Sequence, residues 1–316
     1  MLEFLTFSVL NGVQYGLLLF LLASGLTLIF SMMGVLNFAH ASFYMLGAYF
    51  GFQASLSLGF WPALVVAPLA VGVLGALVER FGLRRVHRLG HVAELLFTFG
   101  LAFVIDEVVV MLWGRTPVDY RVPALLDGPA FMLWQTSYPA YKLFLLLASV
   151  AIFAGLLMFL TRSRVGLIIQ ASLTHPQMVS MLGHNVPRIF MVMFGAGTGL
   201  AGLAGAIAGP ALVTQPSMAA LLGPILFVII VLGGLGSLTG ALIASLAVGL
   251  IQTFAVAGEV SIADLLARVG VTLGHSEWFG NLWHATLAQL APVIPYLLLV
   301  LMLLLRPAGL MGARET

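Results

Sequence analysis

Long apolar runs without charged residues alternate along the chain with short polar segments. A helix that spans a membrane needs about 20 mostly apolar residues, so the first run, residues 4–78, has room for three spans. Single spans are predicted within 95–113 and 143–161, three more within 189–258, and a last one within 278–305. The pattern predicts an all-α polytopic membrane protein with about nine transmembrane helices, or eight or ten if a segment is re-entrant.

Composition supports a membrane protein and excludes several other classes. The chain is 61% hydrophobic and 8% charged, with a mean hydropathy of +1.13, whereas soluble domains carry about 25% charged residues. The net charge of +2 is too small to suggest a nucleic-acid partner, and the absence of cysteine excludes disulfide and thiol chemistry. The N-terminus lacks a basic region and a cleavage site, so we expect the first apolar segment to remain in the protein.

The distribution of basic residues predicts the orientation of the chain. Residues 79–94, 161–188 and 306–314 together carry nine of the 13 Lys and Arg residues. Cytoplasmic loops are enriched in these residues, and counting nine spans places all three segments on one side. We therefore predict a cytoplasmic C-terminus and an N-terminus on the outer side.

A small polar cluster interrupts the first apolar run at "MGVLNFAHASFYMLGAYF". Asn37, His40 and Tyr44 are spaced i, i+3 and i+7, so they share one face if the stretch is helical. Polar groups inside a membrane must find partners. The cluster indicates either a lining element beside a translocation path or side chains that bond neighbouring helices together.

A second interruption lies in "VIIVLGGLGSLTGALIASLAVG" at 228–249. Gly233, Gly234, Gly236 and the adjacent Ser237 allow a tight, non-helical backbone there. We predict broken or re-entrant segments near 34–42 and 232–240. A pair of broken helices in two halves indicates a substrate site near the middle of the bilayer, although chance similarity between glycine-rich stretches gives the same pattern.

Small residues dominate "GAGTGLAGLAGAIAG" at 195–209. Its GxxxG pairs, Gly195 with Gly199 and Gly205 with Gly209, are typical of helices that pack closely in membranes. We predict a packing role for this ridge.

The inner segment 161–188 has an apolar spacing of its own. It predicts short amphipathic helices, broken at Pro176 and Gly183, and a surface that docks another protein. The apolar positions that carry this pattern are Ile168, Ile169, Met178, Met181 and Leu182.

Two outer segments are longer than simple turns. Four prolines predict an irregular loop over residues 114–142. Within the outer insertion 257–290, Ser261 and Asp264 match a helix capping box. The apolar residues that follow predict a short amphipathic helix, which either lies on the membrane interface or has no role beyond the loop.

Several catalytic signatures are absent from the sequence. There is no phosphate-binding G-x-x-x-x-G-K-[ST], no H-E-x-x-H, and no histidine at metal-ligand spacing with acids. We therefore expect no catalytic residues, no metal and no cofactor. The long runs 4–78 and 189–258 also lack the carboxylates that relay protons in many secondary transporters, which favours a transporter driven by a partner.

Taken together, "GLTLIFSMMGVLNFAHASFYMLGAY", "GLIIQASLTHPQMVSMLGHNVPRI", "GGLGSLTGALIASLAVGLIQ" and "LLLRPAGLMG" resemble the permease subunit of high-affinity branched-chain amino acid ABC importers over nearly the whole length. The resemblance implies one permease domain, residues 1–316, in a bacterial inner membrane. It implies a second permease (homologous or identical), two ATPases and a periplasmic binding protein as partners, besides membrane lipid. It implies further that 161–188 is the loop that couples to the ATPase, through Arg164, Gly166, Gln170, Pro176, Met178, Leu182 and Gly183.

Three features depart from the family pattern. Ala41 and Ser42 replace a usual Gly-Glu pair, Gln177 and Met178 replace Glu-Ala, and the outer insertion is long. The resemblance therefore leaves the substrate open among branched-chain amino acids and related small amides or carboxylates. The alternative is a stand-alone secondary transporter or channel for small polar solutes.

Overall fold

The computed structural model describes residues 2–134, 136–174, 176–257, 261 and 285–311, and most of them are helical. The helices are α1 (Leu2–Met33), α2 (His40–Leu58), α3 (Phe60–Val78), α4 (Arg84–Val86), α5 (His91–Trp113), α6 (Ala140–Arg162), α7 (Arg164–Thr174), α8 (Pro176–Met181), α9 (Val186–Ala208), α10 (Met218–Gly233), α11 (Leu238–Ala257), α12 (Leu287–Leu290) and α13 (Ile294–Leu305). A π-helical turn at Glu79–Leu83 and short 3₁₀ turns at His87–Leu89 and Ala124–Leu126 complete them.

Six helices in the described part of the chain are long and apolar enough to cross a membrane: α1, α3 with its continuation to Leu89, α5, α6, α9 and α11. Helices α10 and α13 are apolar but shorter. Helix α2 has 19 residues and is more polar, and its N-terminal half is buried against other helices. A polytopic membrane fold agrees with these helices, but the predicted count of nine spans is not confirmed.

Helix α9 lies at the centre and packs against α1, α2 and α3. Its contacts are made by glycines placed against glycines or backbone: Gly202 against Gly47, Gly197 against Gly25, and Gly205 against the carbonyl oxygen of Tyr44. A Cβ atom at any of these positions would overlap the facing helix. The predicted packing role of the small-residue ridge 195–209 is therefore confirmed.

The remaining long helices surround this centre. Helix α11 packs along α1, where Gly16 and Gly249 allow the two backbones to touch. Helix α10 covers α2 from the other side, while α5 and α6 present many apolar side chains outward. Exposed apolar faces of this kind match a lipid environment, which does not drive helices together by itself.

The loop 114–142 contains a β-hairpin, so the prediction of an irregular loop is wrong for residues 129–139, while the rest of the described chain is mostly helical. Strand β1 (Pro129–Leu133) pairs antiparallel with β2 (Thr136–Pro139), with a register irregularity beside Pro129. Proline cannot donate to a strand ladder and is confined to strand ends. Pro129 and Pro139 occupy those ends, and the residues between them are free to pair.

The hairpin end of the molecule is tied to the helices by side chains. The Tyr120 hydroxyl donates to the Ala206 carbonyl at 3.2 Å, and Lys142 donates to the Asn11 side chain at 2.9 Å. Burial raises the pKa of Tyr120, so the hydroxyl remains a neutral donor at physiological pH. The second bond places Asn11 of α1 beside the start of α6, which directly follows the hairpin.

The insertion 257–290 is described only at residue 257, at Ser261 and from residue 285 onward. There Ser261 forms an isolated β-bridge with Thr286, which caps α12. The predicted amphipathic helix that begins near Ser261 otherwise lies outside the described residues.

Gly205→Ala should destabilise the bundle because its methyl group would overlap the Tyr44 carbonyl. Overpacking of this kind costs about 1–3 kcal/mol. Gly155→Ala on α6 is the matched control, since the space around Gly155 is open. Thermal unfolding of the purified proteins in nanodiscs should show a lower midpoint for Gly205→Ala alone. Equal midpoints for the two variants would contradict the close packing of α9.

Candidate functional site

Helix α2 begins inside the bundle, beside the middle of α1. Residues 34–39 are not helical and return the chain along α1. The His40 Nε2–H donates to the Leu22 carbonyl oxygen at 3.1 Å. Because a helix rises 1.5 Å per residue, Leu22 lies about 16 Å before the end of α1 at Met33. The N-terminus of α2 is therefore buried well away from the ends of the long helices.

Contacts with α5 also show that α2 starts away from the ends of the long helices. The Phe38 N–H donates to the Thr98 hydroxyl at 3.3 Å, and the Ser42 hydroxyl donates to Asp106 at 2.8 Å. Farther along, Trp113 donates to Gln53 at 3.3 Å. Helices α2 and α5 thus run in the same direction, with α2 starting beside the interior of α5.

Asn37 organises the backbone of this interruption. Its Oδ1 accepts the Ala39 N–H at 3.1 Å, and its main-chain oxygen accepts the His40 N–H at 3.1 Å. An asparagine side chain commonly satisfies the backbone N–H two residues on, in place of a helical carbonyl. Asn37 lies before α2, so the stretch is not helical throughout, and only His40 and Tyr44 share a helical face.

Three polar atoms at this interruption have no protein partner among the described residues: Asn37 Nδ2, His40 Nδ1 and the Tyr44 hydroxyl. The three residues are at most 1% exposed. Because the His40 Nε2 donates to a carbonyl, Nδ1 is the acceptor of the neutral imidazole. Protein contacts among the described residues therefore leave an amide donor, an imidazole acceptor and a hydroxyl unused at this interruption.

The second interruption lies at one end of the bundle. Residues 234–237 separate α10 from α11, and Ser237 accepts the Gly240 N–H at 3.1 Å at the start of α11. Gly236 lies against Ser31, near the C-terminal end of α1. The structure does not bring Gly233, Gly234, Gly236 and Ser237 together with Asn37, His40 and Tyr44.

The C-terminal segment closes this second interruption. The Leu310 N–H donates to the Leu232 carbonyl at 2.8 Å, and the Met311 N–H donates to the Gly233 carbonyl at 3.0 Å. These carbonyls belong to the last turn of α10, where no helical partner is available. Sequence reasoning missed this contact because nothing local to either segment indicates the pairing.

The segment 161–188 forms α7 and α8, followed by a turn at Gly183 with a φ of +87°. The five apolar positions of the predicted pattern differ in their surroundings, and Ile168 is half-buried. Ile169 packs inward with Leu28, Leu160 and Met193. In contrast, the side chains of Met178, Met181 and Leu182 are 64%, 86% and 78% exposed and form an outward apolar patch.

The remaining predicted coupling residues lie close to this patch or at the start of α7. Gly166 packs against the backbone of Leu160 at the end of α6, and the Gln170 side chain donates to the Leu160 carbonyl at 3.2 Å. Arg164 begins α7, and Pro176 occupies the first position of α8, where proline is favoured.

Two further polar contacts were not predicted from sequence. Arg84 forms two hydrogen bonds with the buried Glu79 and a third to the Pro187 carbonyl at 2.7 Å, which joins the segment after α3 to the start of α9. Asp106 was visible as a charge within a span, but its partner Ser42 is 64 residues away in sequence. Within the described residues, no group of three His, Asp or Glu side chains could hold a metal ion.

Comparison with known proteins gives one consistent result. The family model for the permease component of branched-chain amino acid transport systems matches residues 8–305. The chain is 27% identical to the high-affinity branched-chain amino acid transport system permease protein BraD of Pseudomonas aeruginosa, covering 96% of this chain and 95% of the relative. It is 26% identical to the corresponding protein LivH of Escherichia coli K12, covering 96% and 94%. No solved structure matches the chain significantly.

His40→Ala should lower the thermal unfolding midpoint because it leaves the buried end of α2 without its bond to the Leu22 carbonyl. Removing one partner of a buried hydrogen bond costs about 1–3 kcal/mol. His40→Gln, which keeps a donor, should lose less. Tyr44→Phe is the control and should be nearly neutral, because the Tyr44 hydroxyl has no protein partner. A loss for Tyr44→Phe as large as that for His40→Ala would contradict this structure of the interruption.

Proposed function

The chain belongs to the family of permease components of branched-chain amino acid transport systems, and from this premise we propose that it forms half of the transmembrane path of an ATP-driven importer. The observation that carries the proposal is the family match over residues 8–305. The substrate is a branched-chain amino acid or a related small amide or carboxylate. The relatives are permeases, so the chain contributes the path, and ATP hydrolysis falls to partner subunits.

The interruption before α2 supports a translocation path that runs beside the start of this helix. Asn37, His40 and Tyr44 combine deep burial with polar atoms that lack protein partners. In known transporters, solutes bind beside discontinuous helices near the middle of the membrane. We assign Asn37, His40 and Tyr44 to the path. The turn formed by Gly233, Gly234, Gly236 and Ser237 lies at its inner end, where the C-terminal segment holds it.

The apolar patch on α8 supports a docking surface for the ATPase. Met178, Met181 and Leu182 are spaced i, i+3 and i+4, so they project from one side of the chain. Arg84, which follows α3, donates a hydrogen bond to the Pro187 carbonyl at the start of α9. Helix α8 itself contacts α9, so a shift of the docked ATPase can be passed to α9, against which α2 is packed. We propose that residues 161–188 form the coupling loop, with Arg164, Gly166, Gln170, Pro176, Met178, Leu182 and Gly183 in that role.

The remaining partners follow from the same proposal. They are a second permease, homologous or identical, two ATPases and a periplasmic binding protein, assembled in a bacterial inner membrane. We place segments 79–94 and 161–188 and the C-terminus in the cytoplasm, and the N-terminus, the hairpin and the insertion 257–290 in the periplasm. A stand-alone transporter would differ in purification, because it would not bring a P-loop ATPase with it.

Met181→Asp should uncouple ATP hydrolysis from transport, because it places a charge in an apolar docking surface where charges are costly to bury. The matched control is Ser180→Asp, which adds the same charge on the other side of α8. In proteoliposomes with the complete importer, uptake and substrate-stimulated ATP hydrolysis should fall about tenfold or more for Met181→Asp, which corresponds to ~1.4 kcal/mol. Gly183→Asp and a charge reversal at Arg164 should act in the same direction.

The control should retain most of the activity. Wild-type uptake and ATP turnover in Met181→Asp, Gly183→Asp and Arg164→Glu would show that this segment does not dock the ATPase.

A further inference from the structure

A cavity of about 620 Å³ lies between α2, α5, α10 and α13. It borders the start of α2 through Phe38, Ala41 and Ser42, and it reaches Asp106 on α5. Neither Lys, Arg nor His lines it. The cavity therefore contains one ionisable carboxyl group and no opposing cation among the described residues.

The polar side chains on the cavity wall are Asp106, Ser42 and Tyr296, and each of the two hydroxyls can donate or accept a hydrogen bond. Asp106 receives the Ser42 hydroxyl hydrogen at 2.8 Å through Oδ1, which uses the Ser42 donor and leaves Oδ2 available. On the facing helix, Pro224 has no N–H, so the Ala220 carbonyl lacks its helical donor. Both Ala220 and Pro224 line the cavity. Asp106 is the one charged side chain among the residues that line the cavity, so a cationic ligand that donates hydrogen bonds would complement it.

Aromatic rings form much of the remaining wall. Phe38 lies 4.6 Å from Phe227 and 6.2 Å from Phe99 between ring centroids, and Phe99 contacts Phe103 edge-on at 5.0 Å. Aromatic faces attract cations and also accommodate aliphatic groups. Together with one carboxylate, they match an ammonium group attached to a compact apolar body.

We propose that this cavity is a binding site for the ammonium end of the transported solute, with Asp106 as its acceptor and Ser42 as the residue that orients the carboxylate. The proposal rests on the transport function proposed above and narrows its substrate class. A solute with a primary ammonium group and a compact apolar body would bind here. Neutral amides and simple carboxylates of the same size would bind less well.

Because the native chain contains no cysteine, a single introduced cysteine can be labelled specifically. A single cysteine at Ala102, which lines the cavity, is alkylated with N-ethylmaleimide in the complete importer in nanodiscs. The probes are leucine, 3-methylbutylamine and 3-methylbutan-1-ol, of which the last two differ only in an ammonium against a hydroxyl group. The amine and leucine should slow alkylation at concentrations about tenfold lower than the alcohol requires, a difference of ~1.4 kcal/mol.

Asp106→Asn, which keeps the shape and the acceptor for Ser42, should remove the advantage of the amine over the alcohol. Glu107→Gln removes the neighbouring carboxylate, which does not line the cavity, and should leave the advantage intact. Ser42→Ala keeps the carboxylate and should weaken protection by less than Asp106→Asn. Equal protection by amine and alcohol, or an amine advantage that survives in Asp106→Asn, would overturn the proposal. Since this readout needs no ATP, it stays separate from failure of the coupled transport function.

Discussion

The close approach of α9 to its neighbours is the constraint on which the rest of the structure depends. In a membrane, apolar side chains gain little from leaving lipid for another helix, so association relies on dense contact between surfaces. Gly47 with Gly202, and Gly25 with Gly197, bring backbones into direct contact that no larger residue permits. With α1, α2 and α3 held on one helix in this way, the short α2 can stay buried although it does not begin at the end of the bundle.

The buried start of α2 creates a need for hydrogen bonds, and the polar residues of the interruption meet it. Unsatisfied backbone groups in hydrocarbon cost several kcal/mol each. Asn37 and Thr98 bond to the backbone of residues 36–40, and His40 ties α2 to α1 through Leu22. The polar atoms left over are buried in the interior, and the cavity that Asp106 lines borders the neighbouring Phe38, Ala41 and Ser42. The same local defect in the helix thus supplies both the structural bonds and the polar groups available to a solute.

Much of this architecture could be predicted from sequence because it follows from local patterns. The long apolar runs predicted long membrane helices. The small-residue ridge 195–209 predicted that α9 packs closely against its neighbours. Contacts between distant segments could not be predicted from local patterns. Ser42 bonds to Asp106, and Leu310 bonds to Leu232, but nothing in the sequence around either residue indicates its partner. The apolar pattern of 161–188 predicted helices but not their division into the inward Ile169 and the outward Met181. That division depends on where α6 and α9 place the segment.

The bond between His40 and the Leu22 carbonyl tests the buried start of α2 most directly. Solid-state NMR can measure dipolar coupling between ring ¹⁵N of histidine and carbonyl ¹³C of leucine in the protein reconstituted in lipid. The structure, with a 3.1 Å contact from Nε2 to the carbonyl oxygen, predicts strong dephasing that disappears in His40→Gln. Dephasing that is absent in the wild type, or unchanged in the variant, would show that α2 does not begin beside the middle of α1.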